Sequence, residues 1–454
     1  MSLVTTEPAR PGASGPSPER RQVARIGGFL RAAANALLVP VLAVFTALVI
    51  GGLVIWFSTG DILKVIGPDG AFVGLWKGAL GTPRNIADTL TTSTPYIFAG
   101  LAVALAFKCG LFNIGAEGQL ALGAVSAAFV GYSLQGVPFP IHLFLTLVAG
   151  LLGGLLWGAI PGFLKAYTGA HEVIITIMLN YIALSFVQYL LGGPMKDRTP
   201  GNVTARTPAI APEAELPTLF PGTPWEVHYG IVLALIAAVL VWFFLSRTTW
   251  GFEIRTVGAN PNAARYAGMS VAKNTVLAMS LSGMLAGAAG AVEVAGVTHR
   301  HELGFGAGYG FDSIAIALLG RTNPFGVVAA ALLFGGLKSG ATQMQFNTQI
   351  SASIISVVQG LVLLFVAADV IIRWLYRLNL QSGRGTLTLA PAAAMAAAAE
   401  VTLAVPEGVE PAATYPKTSP ADLPDGPAFT GNKEGDETRP ASPPEVSGGK
   451  EERP

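Results

Sequence analysis

Apolar residues in this chain come in long runs rather than in the short alternating stretches of a soluble fold. Runs at 35–57, 94–112, 116–133, 141–163, 172–192, 228–246, 274–296 and 350–375 are each close to the roughly 20 residues a helix needs to cross a bilayer. Two further apolar stretches, 309–320 and 324–341, fall between the last two runs. They read either as two short spans or as a re-entrant pair of half-helices, and both readings cross the membrane a net zero times. The pattern predicts an all-α, polytopic membrane helix bundle of about ten segments.

Glycine recurs inside these runs, at Gly150, Gly153, Gly154 and Gly158 in one and at Gly283, Gly287 and Gly290 in another. Small residues at such spacings let helix backbones approach closely, because lipid supplies no hydrophobic drive for helices to associate. Lys and Arg set the orientation. Arg20, Arg21, Arg25 and Arg31 precede the first run, and Arg373, Arg377 and Arg384 follow the last. Both termini are therefore expected in the cytoplasm, together with the loop 247–273 and Lys165. The loops 58–93 and 193–227 fall outside.

Composition agrees. Of 454 residues, 52% are hydrophobic and only 12% charged, against about 25% charged in an ordinary soluble domain. The net charge of +1 gives no basic excess for nucleic acid, and the single cysteine, Cys109, excludes an internal disulfide or a Cys-rich metal site. The Pro-, Ser-, Gly- and Arg-rich residues 1–34 read as a disordered cytoplasmic arm before a retained first span. Residues 35–376 make the transmembrane domain. Residues 377–454, rich in Pro and acidic residues, cannot bury enough apolar surface to order themselves and read as a disordered cytoplasmic tail.

Enzyme motifs fail on inspection. His171-Glu172 and His301-Glu302 lack a second His four residues after the first, and Gly335-Gly336-Leu337-Lys338-Ser339 lacks the Gly before Lys and the preceding strand of a phosphate loop. No catalytic or metal-ligating set and no ATP site is visible. Polar residues at membrane depth are the remaining candidates. Asn113, Glu117 and Gln119 sit between two apolar runs, flanked by Gly110, Gly115 and Gly118. They read equally as part of a translocation path at broken helix ends and as a polar turn whose Glu117 caps the following helix. Asn180 reads as a path residue or an interhelical hydrogen bond, and Glu293 and Asp312 as path carboxylates or residues at the outer interface. In the 251–273 loop, Asn260 is an expected N-cap with Pro261 at the first position of a short helix ending at Gly268. Such a helix reads as a docking element for a soluble partner or as a plain amphipathic connector.

Three motifs then carry a resemblance. The run Gly110-Leu-Phe-Asn-Ile-Gly-Ala-Glu-Gly-Gln, the loop Arg255-Thr-Val-Gly-Ala-Asn-Pro-Asn-Ala-Ala-Arg-Tyr-Ala-Gly and the run Ala317-Leu-Leu-Gly-Arg-Thr-Asn-Pro-Phe-Gly occur in that order. Together they resemble the branched-chain amino acid/ribose-type permeases of ABC importers, and within them the nucleoside and simple-sugar subgroup. The resemblance implies a multi-pass protein of the inner (plasma) membrane, with no cofactor of its own. It also implies a second, related but different permease subunit, two ATPase subunits holding ATP and Mg, and an extracytoplasmic substrate-binding lipoprotein. It puts the region of Asn113, Glu117 and Gln119 and the 309–326 pair, with Asp312, along the path, to which Asn180 and Glu293 add as buried polar candidates, and Glu253, Arg255, Asn260 and Arg265 in the loop that meets the ATPase. The expected cargo is a nucleoside. The alternatives are the same machine carrying a simple sugar, an ion-coupled secondary transporter, and an intramembrane enzyme, for which no paired catalytic residues are found.

Overall fold

The computed structural model describes residues 18–304, 306, 308–351, 353–368, 371–372 and 375–376. The expected tail, 377–454, and residues 1–17 of the expected arm lie outside the described residues. The first helix, α1 (Pro18–Thr59), begins inside the stretch expected as an arm, with Pro18 at its first position. Its apolar span runs from Pro40 to Thr59.

The remaining helices follow in order: α2 (Leu63–Ile66), α3 (Ala71–Leu80), α4 (Pro83–Lys108), α5 (Ala116–Ser133), α6 (Ile141–Thr168), α7 (Glu172–Gly192), α8 (Gly230–Arg247), α9 (Thr249–Ala259), α10 (Pro261–Tyr266), α11 (Val271–Glu293), α12 (Tyr309–Leu319), α13 (Pro324–Thr348) and α14 (Ser353–Ala367). The described residues form no strand, only isolated bridges such as Arg206 to Glu302 and Thr218 to His228. Seven of these helices are long and apolar enough to cross a membrane: α1 from Pro40, then α4, α6, α7, α8, α11 with the π-turn that continues it to Thr298, and α13. Helix α5 misses that standard because Glu117 and Gln119 lie in its first turn, and α12 and α14 are shorter.

The expected boundaries hold closely for α5 and α7 and differ elsewhere. Helix α4 starts at Pro83, not 94, and is capped by Thr82, whose hydroxyl accepts the Asn85 N–H. Its first turns are polar and Thr-rich, which hid them from a hydropathy reading. Helix α13 extends to Thr348, about 37 Å long, whereas α12 is only about 16 Å. The two are therefore unequal, unlike a matched pair of half-helices. Helix α9 was not expected at all inside the 247–273 loop.

Burial separates the layers. About three quarters of the apolar windows of α4 and α11 are buried, 78% and 72%, against 22% for α6 and α7. So α4 and α11 are central, with α5 packed on α11 and α6, and α13 packed on α4 and α3. Helices α6 and α11 meet along Gly150, Gly154 and Gly158 on one side and Gly283 and Gly287 on the other.

The bundle has two distinct ends. At one, Gly110 lies against Gly258, Cys109 Sγ lies 3.7 Å from the Asn274 carbonyl, and Lys165 pairs with Glu172 at 3.0 Å. At the other, the 193–229 loop folds over the end of α11. Thr207 N–H donates to His301 O (2.8 Å), Ile210 N–H to His299 O (2.9 Å), Leu216 N–H to Ala295 O (2.8 Å) and Ala211 N–H to Gly131 O (2.8 Å). This collar holds two buried histidines, His228 and His301. His228 Nδ1 accepts the Gly230 N–H at 3.0 Å.

Burial pushes both imidazoles down to about 4, with His299 adding to the effect at His228. A histidine whose folded pKa lies below the unfolded 6.5 gives its full stabilisation above about pH 6.5 and loses it as pH falls toward 4, on the order of 3 kcal/mol each. Hydrogen exchange of the collar amides, corrected for intrinsic rates, is expected to show protection falling about tenfold or more between pH 7.5 and 5. His228→Asn should remove part of that dependence. Protection unchanged over this range contradicts the account.

Candidate functional site

The chain breaks its helices twice at places that meet inside the bundle. After α4, residues 109–115 leave the helix and turn at Gly110, whose φ of +74° suits glycine. Before α12, the described residues 299–304 and 306 are not helical, and Gly308, φ +92°, is the N-cap of α12. The first turns of α5 and α12 touch there. A Cβ on Gly310 would collide with the Glu117 backbone nitrogen. Broken backbone inside an apolar bundle needs partners for its N–H and C=O groups, and the polar candidates supply them.

Asn113, fully buried, donates from Nδ2 to Gln119 Oε1 and to Ser282 Oγ, both at 2.8 Å, and its Oδ1 accepts the Gly115 N–H at 2.9 Å. Ser282 Oγ in turn donates to the Ala102 carbonyl at 2.6 Å. Asn180 on α7 accepts the Gly118 N–H at 2.9 Å and donates to Ile114 O at 2.9 Å. Asn113, Gln119 and Asn180 thus use their amides to hold the 113–119 backbone against α4, α7 and α11. Ser282 belongs to this set and was not singled out from sequence, since a serine in a glycine- and alanine-rich helix gives no distinctive signal.

Glu117 does something the sequence did not indicate. Its two oxygens accept the N–H groups of Gly308 and Gly310, each at 2.7 Å. The carboxylate therefore caps α12, not its own helix, and lies at the positive end of the α12 dipole.

Glu293 and Asp312 form a second group around two tyrosines. Tyr96 donates to Asp312 Oδ2 at 2.7 Å, and Tyr309 hydrogen-bonds Glu293. The Tyr96 and Tyr309 rings meet edge to face, centroids 4.8 Å apart, with Phe334 6.4 Å from Tyr96. Glu293 is buried and Asp312 half-buried. Lys338 of α13 stands 5.8 Å over the Tyr309 ring and attracts Asp312. Lys338 had been read only as part of a failed phosphate-loop match; its place mid-way along an apolar helix was the missed signal.

The remaining candidates lie at the far end of the molecule. Glu253 on α9 accepts from Asn274 Nδ2 at 2.8 Å, tying α9 to the start of α11, while Arg255 is exposed. Asn260 Oδ1 accepts the N–H groups of Asn262 and Ala263, each at 3.0 Å, so it is the N-cap of α10 as expected, and Gly268 follows with φ +80°. On α10, Arg265 is exposed and Tyr266 is 95% exposed. The candidate path and the candidate coupling helix thus occupy different regions of the molecule. No group of three or more potential metal ligands occurs among the described residues.

Comparison with known proteins is consistent with this geometry. The family described as branched-chain amino acid transport system / permease component matches residues 85–367. The chain is 43% identical over 342 residues to the guanosine ABC transporter permease protein NupP of Bacillus subtilis, covering 74% of this chain and 95% of that protein. It is 35% identical to the nucleoside ABC transporter permease protein NupB of Lactococcus lactis, over 74% of this chain and 92% of NupB. It is also 35% identical to the glucose ABC transporter permease protein TsgB13 of Haloferax volcanii, over 72% and 86%. No solved structure matches the chain. With seven helices able to cross a bilayer and relatives that are transport proteins rather than enzymes, this integral membrane protein belongs to the branched-chain amino acid transport system / permease component family of ABC transporter permeases.

Proposed function

We propose that the chain forms the transmembrane path for a nucleoside in an ABC importer of the inner (plasma) membrane. The observation that carries this reading is the 43% identity to a guanosine permease over 95% of that protein's length. The arrangement of the helix ends supports ten crossings, by α1, α4–α8 and α11–α14 without α9 and α10, with the non-helical residues 109–115 completing the short crossing of α5. Ten crossings return the chain to the side it started from, and the Arg-rich flanks favour the cytoplasm for both termini.

On this reading α9 and α10 face the cytoplasm and receive an ATPase subunit, one of a pair that binds ATP and Mg. Arg265, Tyr266 and the Asn260-capped turn supply the contact. The collar at 193–229 faces outward, where an extracytoplasmic substrate-binding lipoprotein delivers its cargo. A second, related permease chain completes the path. Two permeases and two ATPases then give one inward route driven by ATP. The same machine carrying a simple sugar is the second reading, favoured by the identity to a glucose permease.

The test is uptake of radiolabelled guanosine, adenosine, uridine and ribose by cells with and without the gene, with ATP depletion as control. Loss of ATP-dependent nucleoside uptake alone is expected. Loss of ribose uptake with nucleosides unaffected moves the cargo to sugars. The Arg265→Glu, Tyr266→Ala pair is expected to lower uptake about tenfold or more while the permease still accumulates, since interface knobs of this kind carry a few kcal/mol. Wild-type uptake by that pair removes α10 from the coupling role.

A further inference from the structure

One stripe of α13 changes character half-way along. Val327, Ala331 and Phe334 are buried, with Val327 against Gly100 and Phe334 against Tyr96. Lys338, Thr342 and Gln345 continue the same four-and-three spacing, so they lie on the same face, and all three are exposed. An apolar membrane helix cannot present a lysine and two further polar side chains to lipid at its middle without large cost; such residues face water or protein. The polar half runs from Lys338 toward the end of the bundle that carries the collar, and at its base stand Tyr309 and Asp312, both half-buried. The opposite flank of α13 is already occupied, with Gly340 against Leu75 and Met344 against Gly74 of α3. The result is an exposed polar strip on α13 that starts beside Tyr309, with the fully buried Phe334 and Tyr96 packed behind it.

We propose that Lys338 and Asp312 form a donor–acceptor station at the base of this strip that recognises a nucleobase bearing a carbonyl oxygen next to a ring N–H, as in guanosine, inosine and uridine. This inference rests on the reading of the chain as a nucleoside permease. The Lys338 ammonium donates only, and an ionised Asp312 accepts only. A carbonyl beside a ring N–H presents the matching acceptor and donor. The amino group and unprotonated ring nitrogen of adenosine present the reverse order and leave both protein charges unmet. A site built to hydrogen-bond one pattern discriminates strongly against its inverse, because the unpaired groups stay desolvated. The Tyr309 ring beside Lys338 offers an apolar surface to the base.

The single cysteine makes a direct test clean. Cys109 is buried, so a Cys109→Ala background carries one new thiol at a time. In cells expressing the full chain with its partners, a membrane-impermeant methanethiosulfonate is expected to label Lys338→Cys and Thr342→Cys but not Leu156→Cys, which is exposed on the outer layer of α6. Guanosine and inosine should slow labelling at position 338, and adenosine should not. Lys338→Met should lower guanosine uptake about tenfold or more and adenosine uptake less than about threefold, with Lys338→Arg restoring part of the loss.

Absence of labelling at both 338 and 342 overturns the station, because the stripe is then a closed protein interface. Equal loss of guanosine and adenosine uptake in Lys338→Met, or labelling indifferent to guanosine, overturns it as well. Labelling at both positions with no nucleoside uptake by the wild type overturns the nucleoside reading and the station together. Wild-type nucleoside uptake without labelling overturns the station alone.

Discussion

Gly287→Leu is expected to abolish accumulation of folded protein, and Gly287→Ala to weaken it severely. Gly287 sits where α11 crosses both α6 and α5. A Cβ there would run into the Gly150 carbonyl oxygen and come within 2.8 Å of the Gly154 Cα, while a Cβ on Gly123 of α5 would strike the Gly287 Cα. What stands in the way of a Gly287 Cβ is α6 backbone, so no side chain is free to rotate aside and the two helices themselves must separate. In lipid, the energy that joins helices comes mostly from close packing of this kind, and a separation of even an ångström forfeits much of it along the whole seam. Overpacking a soluble core costs about 1–3 kcal/mol. Here the cost is expected at the top of that range for Ala and beyond it for Leu. Gly360→Ala on α14, where an added Cβ meets nothing within 4 Å, is the matched control. The measurement is the thermal midpoint and monodispersity of detergent-solubilised protein. A Gly287→Leu protein that melts with the wild type would mean the α6–α11 seam is not a packed interface.

The parts of this structure legible in the sequence are those whose signal is local. Helices α5 and α7 begin and end where apolar runs do, and α10 is announced by Asn260, Pro261 and Gly268, each acting within one turn. The glycine-spaced runs 150–158 and 283–290 marked close packing before any partner was known, and Gly150, Gly154 and Gly158 do pair with Gly283 and Gly287. Where local signals were mixed, the reading failed. The first turns of α4 hold Arg84, Asn85, Asp88 and a run of threonines, and α3 holds Gly74 and Gly78, so neither looked like membrane helix. Their stability is tertiary: α3 lies along the polar second half of α13, and a Cβ on Gly74 would come within 2.9 Å of the Met344 Cα. Helix α13 extends past 341 for the same reason, since Thr342, Gln343, Gln345 and Asn347 lower its hydropathy while Gln343 and Asn347 lie against α3. The site was half legible. Its polar residues were found because charge and amide groups are rare at such depth. Their roles were not, because a carboxylate's partner across nearly two hundred residues leaves no trace in its own neighbourhood.

Glu117→Ala is expected to lower uptake about tenfold or more, with the protein still inserted and α10 still able to dock. The carboxylate joins the broken starts of α5 and α12 through hydrogen bonds to the Gly308 and Gly310 N–H groups. Removing it orphans two donors, the buried Gly310 N–H and the half-buried Gly308 N–H, costing about 1–3 kcal/mol for a buried donor left unmet, and removes a negative charge from a helix N-terminus worth about 0.3–2 kcal/mol. Since α12 is only three turns long and carries Asp312 in its first turn, loosening its N-terminus displaces Asp312 from Tyr96 and Tyr309 from Glu293. Glu117→Gln keeps one acceptor oxygen and turns its amide group toward the other N–H, so it should fall between wild type and Ala. Glu117→Asp keeps the charge but shortens the reach, and should resemble Gln. This order separates a capping role from a direct contact with solute: a capped backbone is graded by how many N–H groups find an acceptor, and the loss appears equally for every nucleoside carried. Hydrogen exchange at Gly308 and Gly310 should rise in the same order, while amides of α9 and α10 stay protected as in the wild type. Full uptake by Glu117→Ala, or exchange unchanged at those two amides, would show that α12 is held by its packing on α4 and α14 and not by this carboxylate.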